Sequence, residues 1–362
     1  MIEIHPDVRL ARQPPPRFYH DPAVYAACQE RVFARTWQWA GEAAALAPGQ
    51  AAPRTLLPGC LDEPFILTRQ ENGAARALSN ACTHRGHPLL RAPTDGRALR
   101  CAYHGRRFDL SGRCLGQPFL DGAPGFPGDL DALPALALGT WAGLLFASVR
   151  PLMPFDAVFA PLDARLGFLP LCEARLEPAG CHDYHVDAPW LLYVDNYLEG
   201  LHTPFVHAGL NSLLDFQAYR TELLPWGTLQ IGAAEPGCLA FDLPPGHPEH
   251  GQRIAAFYFF LFPNLMVNAY PWGLELNLVE PLGPSRARIR YLAYVYRPAL
   301  RGQGAGGDLH TVELEDEAVV EAVAIGTAGR ATRTVGYVPG HEDGLHHVHR
   351  LLAGCLSDAA PA

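Results

Sequence analysis

A chain of 362 residues is long enough for two domains, each with a buried core. Apolar residues make up 49% and charged residues 18%, which excludes a disordered or fibrous protein. The net charge of −9, with no basic run or stripe, excludes a general nucleic-acid binder. The start, Met1-Ile2-Glu3-Ile4-His5-Pro6, lacks a basic then apolar pattern, so no secretory signal is expected. No stretch approaches about eighteen uninterrupted apolar residues, so no membrane span is expected either. The nine cysteines are odd in number and scattered, without a disulfide framework, and a reducing cytoplasm is the expected compartment.

Residues 21–40 read as a helix, with Asp21 as the N-cap and Pro22 at the first helical position. From about 45 to 150, short apolar runs broken by Gly, Pro and Asn read as a small all-β region. Its expected strands include Phe65-Ile66-Leu67, Ala77-Leu78, Leu99-Arg100-Cys101 and Leu144 to Ala147. Pro151 and Pro154 mark a boundary. Trp190 to His207 then reads as a second helix. Residues 254–297 give an antiparallel meander: Ile254 to Phe262, Leu265 to Tyr270, Leu274 to Glu280 and Ala287 to Tyr296. A closing helix is expected over 311–326, with Glu313, Glu315, Asp316 and Glu317 in its first turns, where the dipole favours acids.

Two mixed pairs interrupt the β region: Cys82-Thr83-His84, then sixteen residues, then Cys101-Ala102-Tyr103-His104. Two thiolates and two imidazoles on paired loops are the ligand set of a Rieske [2Fe–2S] centre. The rival is a Cys₂His₂ zinc site. Zinc fingers group Cys with Cys and His with His, whereas here each pair is mixed. The flanks Thr83-His84-Arg85-Gly86 and Tyr103-His104-Gly105 put small residues beside each histidine, where backbone amides can approach sulfide. Both features favour the cluster.

A second constellation runs from Asp195 to His207. On a helix, Asp195, Asn196, Glu199 and His202 share one polar stripe in an otherwise apolar segment. Pro204 should end or bend that helix and free His207 to approach the same point as His202. Two convergent histidines need one carboxylate to make the facial triad of a non-haem Fe(II) oxygenase. An isolated pair would more simply satisfy buried polar groups; the cluster motif upstream reverses that preference.

These motifs resemble the α subunit of the Rieske non-haem iron oxygenases, the ring-hydroxylating oxygenase superfamily, over nearly the whole chain. The resemblance implies an α+β protein: an N-terminal all-β Rieske [2Fe–2S] domain plus a helix-grip (START-like) catalytic domain with an antiparallel sheet. Its implied divisions are 1–44, an N-terminal helical segment packing with the catalytic domain, 45–150, the Rieske domain, and 151–362, the catalytic mononuclear iron domain. It implies Cys82, His84, Cys101 and His104 as cluster ligands, and His202 and His207 as ligands of a mononuclear Fe(II). The third iron ligand is implied in the closing helix, where Asp316 is the choice and Glu315 and Glu317 are competitors. Between the two centres the family usually has an aspartate; here Glu199 stands in its place. That substitution resembles the branch of choline- and carnitine-type monooxygenases and related demethylases.

The resemblance further implies a homotrimer in which the cluster of one subunit serves the iron of a neighbour through His104 and Glu199. Asn196 either tunes the surroundings of the iron or is a structural cap. The implied activity is monooxygenation of a small organic substrate with O₂, by hydroxylation or oxidative demethylation; the alternative is a cis-dihydroxylating aromatic ring dioxygenase. No G-x-G-x-x-G follows a strand, so electrons must come from a separate reductase, with or without a ferredoxin. Phe205, Leu210, Phe216, Phe260, Asn268 and Tyr270 are candidate pocket residues. His87, His346, His347 and His349 read as packing or surface histidines.

Overall fold

The structure is a computed structural model that describes residues 2–120 and 122–357. It divides into two compact units, Ala34–Leu152 and a second made of residues 1–33 with 153–362.

The Ala34–Leu152 unit is all-β apart from short single turns. Its strands are β1 (Gln38–Glu42), β2 (Gln50–Leu56), β3 (Glu63–Arg69), β4 (Ala75–Ser79), β5 (Thr94–Asp95), β6 (Ala98–Arg100), β7 (Arg107–Asp109), β8 (Cys114–Gly116), β9 (Ala135–Trp141) and β10 (Leu144–Ser148). Seven form an antiparallel sheet in the order β1-β10-β9-β4-β3-β2-β5, and β6-β7-β8 form a small separate sheet. A core of Ile66, Leu78, Leu99, Phe108 and Leu133 surrounds the buried Cys82 and Cys101, so the cluster loops stand on packed strands. The expected helix over 21–40 stops short. Asp21 does cap it, its Oδ1 accepting the Ala23 N–H at 2.8 Å. After Arg31, however, the chain turns and residues 38–42 become β1, paired with β10. A strand that can bury alternate side chains against a partner outcompetes one more turn of helix. The β-rich unit therefore begins at Ala34, not at 45.

In the other unit, α1 (Pro16–His20) and α2 (Pro22–Arg31) belong with α3 (Phe155–Leu166), α4 (Trp190–Leu198), the one-turn helices α5 (Thr203–Val206) and α6 (Ala208–Asn211), α7 (Leu309–Thr327) and α8 (Asp343–Leu356). Its antiparallel sheet comprises β11 (Arg175–Leu176), β12 (His182–Val186), β13 (Leu214–Leu224), β14 (Gly227–Ala234), β15 (Ile254–Leu261), β16 (Leu265–Tyr270), β17 (Gly273–Pro281) and β18 (Ala287–Val295). The order is β11-β18-β17-β16-β15-β14-β13, with β12 beside β18. The four strands expected between 254 and 297 are β15 to β18. Strands β13 and β14 and helix α8 had no counterpart in the sequence reading. Helix α4 packs against α7, α8 and β17, which brings its inner face toward the centre of the sheet. Among the described residues no helix is long and apolar enough to cross a membrane.

Two expectations for the helices need correction. Helix α4 ends at Leu198, and Glu199 is extended (φ −124°, ψ 142°). The Glu199 carboxylate causes this locally: its Oε2 accepts the Leu201 N–H at 2.5 Å and the His202 N–H at 3.3 Å, replacing helical acceptors. Pro204 lies in the first turn of α5 and is not the breaker. In α7 the acids lie beyond the first turn; Asp308 caps the helix by accepting the Thr311 N–H at 3.2 Å.

Candidate active site

In the β-rich unit the two cysteine–histidine loops have the same backbone design. Cys82 N–H donates to His87 O at 3.0 Å and Gly86 N–H to Cys82 O at 2.8 Å. The second loop repeats this, with Cys101 N–H to Arg106 O at 2.8 Å and Gly105 N–H to Cys101 O at 3.0 Å. Each turn closes through a glycine with left-handed backbone, Gly86 at φ +70° and Gly105 at φ +76°. Cys82 and Cys101 are neighbours, and the rings of His84 and His104 lie 4.7 Å apart. His84 Nδ1 is buried without a hydrogen-bond partner, as a nitrogen awaiting a metal would be. Desolvation, with the charges of His104, Arg106 and Arg85, lowers the pKa of His84 and favours the neutral imidazole a metal needs.

The spacing also bears on zinc. Donors on one tetrahedral zinc lie about 3.3–3.8 Å apart. Among the described residues, only His202, His207 and Asp316 bring three donor atoms within 4.8 Å of one another. No three of the four loop donors lie that close together. Arg106, which the sequence reading missed, ties the loops together. Its Nη1 donates to Thr83 Oγ1 and Asp131 Oδ1, both at 3.0 Å, and its Nε donates to Gln117 Oε1 at 2.8 Å. An arginine beside a ligand histidine carries no spacing signal of its own.

The second centre lies where α4 breaks and α7 passes. His207 Nε2 is 3.1 Å from Asp316 Oδ1, and His202 Nε2 is 3.5 Å from the same oxygen. Asn196 Nδ2 also donates to that oxygen, at 2.7 Å, so Asn196 orients the carboxylate and is not a helix cap. Each histidine is held from behind by a second carboxylate. His202 Nδ1 lies 2.6 Å from Glu199 Oε1, and His207 Nδ1 lies 2.7 Å from Glu315 Oε2. That arrangement leaves both Nε2 atoms facing Asp316, as outer carboxylates do for metal-bound histidines. Burial acts to lower the His207 pKa, but the Asp316 and Glu315 carboxylates outweigh it and raise it. Of the competitors, Glu315 is thus behind His207, and Glu317 touches neither histidine. Two imidazoles and one carboxylate on one side, open on the other, fit a non-haem iron with positions free for O₂.

A cavity of about 780 Å³, mouth included, opens onto these residues. Tyr193, Tyr197, Tyr219, Tyr258, Tyr270 and Tyr291 line it, with Glu275 and Asn277 from β17. Of the expected pocket residues, Leu210, Asn268 and Tyr270 are present. Phe205 is 89% exposed on the outer side of α5. Phe216 is not among the lining residues, and Phe260 packs behind Tyr197 at 6.5 Å between ring centres. His346, His347 and His349 are packing residues, bonded to His5 O, Leu224 O and Asp195 respectively. His87 Nδ1 is paired with Pro88 O at 2.7 Å.

Residues 36–127 match the Rieske [2Fe–2S] domain model, and residues 174–358 match that of the ring-hydroxylating α subunit catalytic domain. The choline monooxygenase of Arabidopsis thaliana is 30% identical over 97% of this chain and 85% of its own length. The chain belongs to the Rieske oxygenase α subunits. The oxygenase subunit of carnitine monooxygenase from Escherichia coli K12 is 27% identical, covering 95% of this chain and 94% of the relative. A solved quaternary ammonium Rieske monooxygenase, described with inter-subunit electron transfer, shares the fold. Its TM-score is 0.75 at 21% identity, over 99% of this chain and 100% of that one. The protein is accordingly a terminal oxygenase component, an oxidoreductase carrying a Rieske [2Fe–2S] cluster and a mononuclear iron.

Proposed function

We propose that the Rieske oxygenase works as a homotrimer fed by a separate reductase, and that it inserts one oxygen atom into a C–H bond, either hydroxylating the substrate or releasing a methyl group. Cys82, His84, Cys101 and His104 would hold the cluster; His202, His207 and Asp316 would hold the iron. When bound, the cluster supplies electrons and the iron activates O₂ beside the substrate. Glu199 does two things for this: it ends α4, and its Oε1 fixes the Nδ1 proton of His202. An adjacent copy's His104, which is exposed at the tip of its loop, would hydrogen-bond the same carboxylate.

The observation that carries the assignment is the pair of histidines whose Nδ1 atoms are occupied by carboxylates while both Nε2 atoms face Asp316. The test is turnover of the reductase-driven holoenzyme under ¹⁸O₂ with a panel of alkylamines, methoxy-arenes and plain arenes. One labelled oxygen in the product, or release of formaldehyde, is the expected result. A cis-diol carrying two labelled oxygens would overturn monooxygenation. In the same assay Glu199→Gln should keep about three irons per chain yet slow reduction of the mononuclear site. Unimpaired turnover would remove the bridge.

A further inference from the structure

The cavity wall opposite the helices contains an acidic side chain that the site described above does not use. Glu275, in the middle of β17, is 2% exposed, and its Oε2 is buried with no hydrogen-bond partner. Two residues along the same strand face, Asn277 is 3% exposed and its Oδ1 is also unpartnered. Ionising an isolated buried carboxylate costs several kcal/mol unless a cation faces it. Among the described residues the cation that acts on it, Arg301, is already engaged. Its Nε donates to Glu177 Oε2 at 3.1 Å, and its guanidinium lies over the Trp272 ring at 4.2 Å.

The lining residues include three carboxylates, Glu199, Glu275 and Asp316, and no lysine or arginine. Glu199 is spent on His202, and Asp316 on the histidines and Asn196. Glu275 is left to meet whatever enters. From this geometry we infer that Glu275 is the docking group for the charged end of the substrate, which is an alkylammonium bearing N–H hydrogens and carrying no carboxylate.

A quaternary ammonium has no hydrogen to give and would leave Glu275 Oε2 and Asn277 Oδ1 both unsatisfied. A substrate carboxylate would meet Asp316 and find no lysine or arginine among the lining residues. The tyrosine rings complete the fit, since their faces attract an ammonium. Desolvation by burial, against the pull of Arg301, pushes the empty-site Glu275 up to about 8. The other titratable groups in its field are the hydroxyls of Tyr184, Tyr197, Tyr258, Tyr270 and Tyr291 and the Cys181 thiol, all held neutral at pH 7 by raised pKa values. Glu275 is then largely neutral at pH 7 and gives up its proton when the ammonium docks.

This inference rests on the oxygenase reading, and its test separates the two. The holoenzyme is titrated calorimetrically at pH 7, in two buffers of different ionisation heat, with four probes of one carbon skeleton: the primary amine, its N-trimethyl derivative, the alcohol and the amino acid. The primary amine should bind tightest and release close to one proton. In Glu275→Gln its affinity should fall on the order of 10²-fold with proton release abolished, the alcohol's affinity unchanged and iron content intact. Glu275→Asp should recover part of the loss. Tighter binding of the N-trimethyl or amino-acid probe, or an unchanged affinity in Glu275→Gln, would overturn the inference. Binding as expected without oxygenation of any probe would leave Glu275 in place and sink the oxygenase reading instead.

Discussion

The cluster loops and the iron site hold their donors by opposite means. Cys82 to His87 and Cys101 to Arg106 each close through two backbone hydrogen bonds of their own, and the Arg106 side chain ties the second loop to the first. At the iron site, His207 and Asp316 are 109 positions apart, and no backbone bond ties them to each other. Their orientation comes from side chains instead: Glu199, Glu315 and Asn196. A locally closed loop is insensitive to distant packing. A centre assembled from two helices depends on every residue that holds those helices in register. Lesions in the two regions should therefore differ in reach as well as in size.

The largest effect should come from removing a donor. Asp316→Ala deletes the oxygen on which His202, His207 and Asn196 converge, so turnover should fall more than about 10³-fold. Iron per chain should drop while the visible absorbance of the cluster persists. Cys82→Ser is the mirror experiment: absorbance is lost, and the three iron-site donors still take up one iron. If either lesion emptied both centres, the two regions would not be independently built.

Next in size is removal of a carboxylate behind a histidine. Glu315→Gln leaves every donor in place but weakens the grip on His207 Nδ1, and outer partners of this kind are worth about 10–100-fold in metal affinity. The side chain of Glu315 is 36% exposed, against 16% for Glu199, so the lower end of that range is expected. Iron affinity measured by competition with a chelator checks this. No change would mean that the buried packing of His207, 2% exposed, is enough to orient it.

The same contrast explains what could be read from the chain alone. The cluster loops were legible because each pair sits within four residues and its glycines serve a local turn. His202 and His207 stood out because metal donors belong to few residue types, whereas Asp316 was picked out from Glu315 and Glu317 only by the family resemblance; the fold brings the three together. The break after Leu198 was not legible, since it arises from a carboxylate of Glu199 that a helix pattern counts as one more polar position. Glu275 and Asn277 were hidden for a different reason. In β17 every residue from Gly273 to Pro281 is buried, so alternation gives no sign of which face meets the cavity. Arg106 was hidden because its partners, Thr83, Gln117 and Asp131, are brought together only by the folded loops.

The smallest predicted effect tests whether the two cluster loops are equivalent. Gly86 and Gly105 have nearly the same dihedral, φ +70° and +76°, so alanine incurs the same left-handed strain at either, about 1 kcal/mol. Their surroundings differ. A Cβ on Gly86 meets nothing within 4 Å, whereas one on Gly105 lies 3.1 Å from Pro118 Cγ and 3.3 Å from its Cδ. A proline ring cannot rotate aside, and its displacement would move the neighbouring Gln117, which accepts from Arg106. Gly86→Ala should therefore cost only the backbone term, and Gly105→Ala should cost on the order of 1 kcal/mol more. The readout is the rate at which cluster absorbance bleaches at a fixed temperature above that of storage. About a fivefold faster loss in Gly105→Ala than in Gly86→Ala is expected, following the factor for 1 kcal/mol. Equal rates would mean that Pro118 yields freely and that the second loop is no more tightly packed than the first.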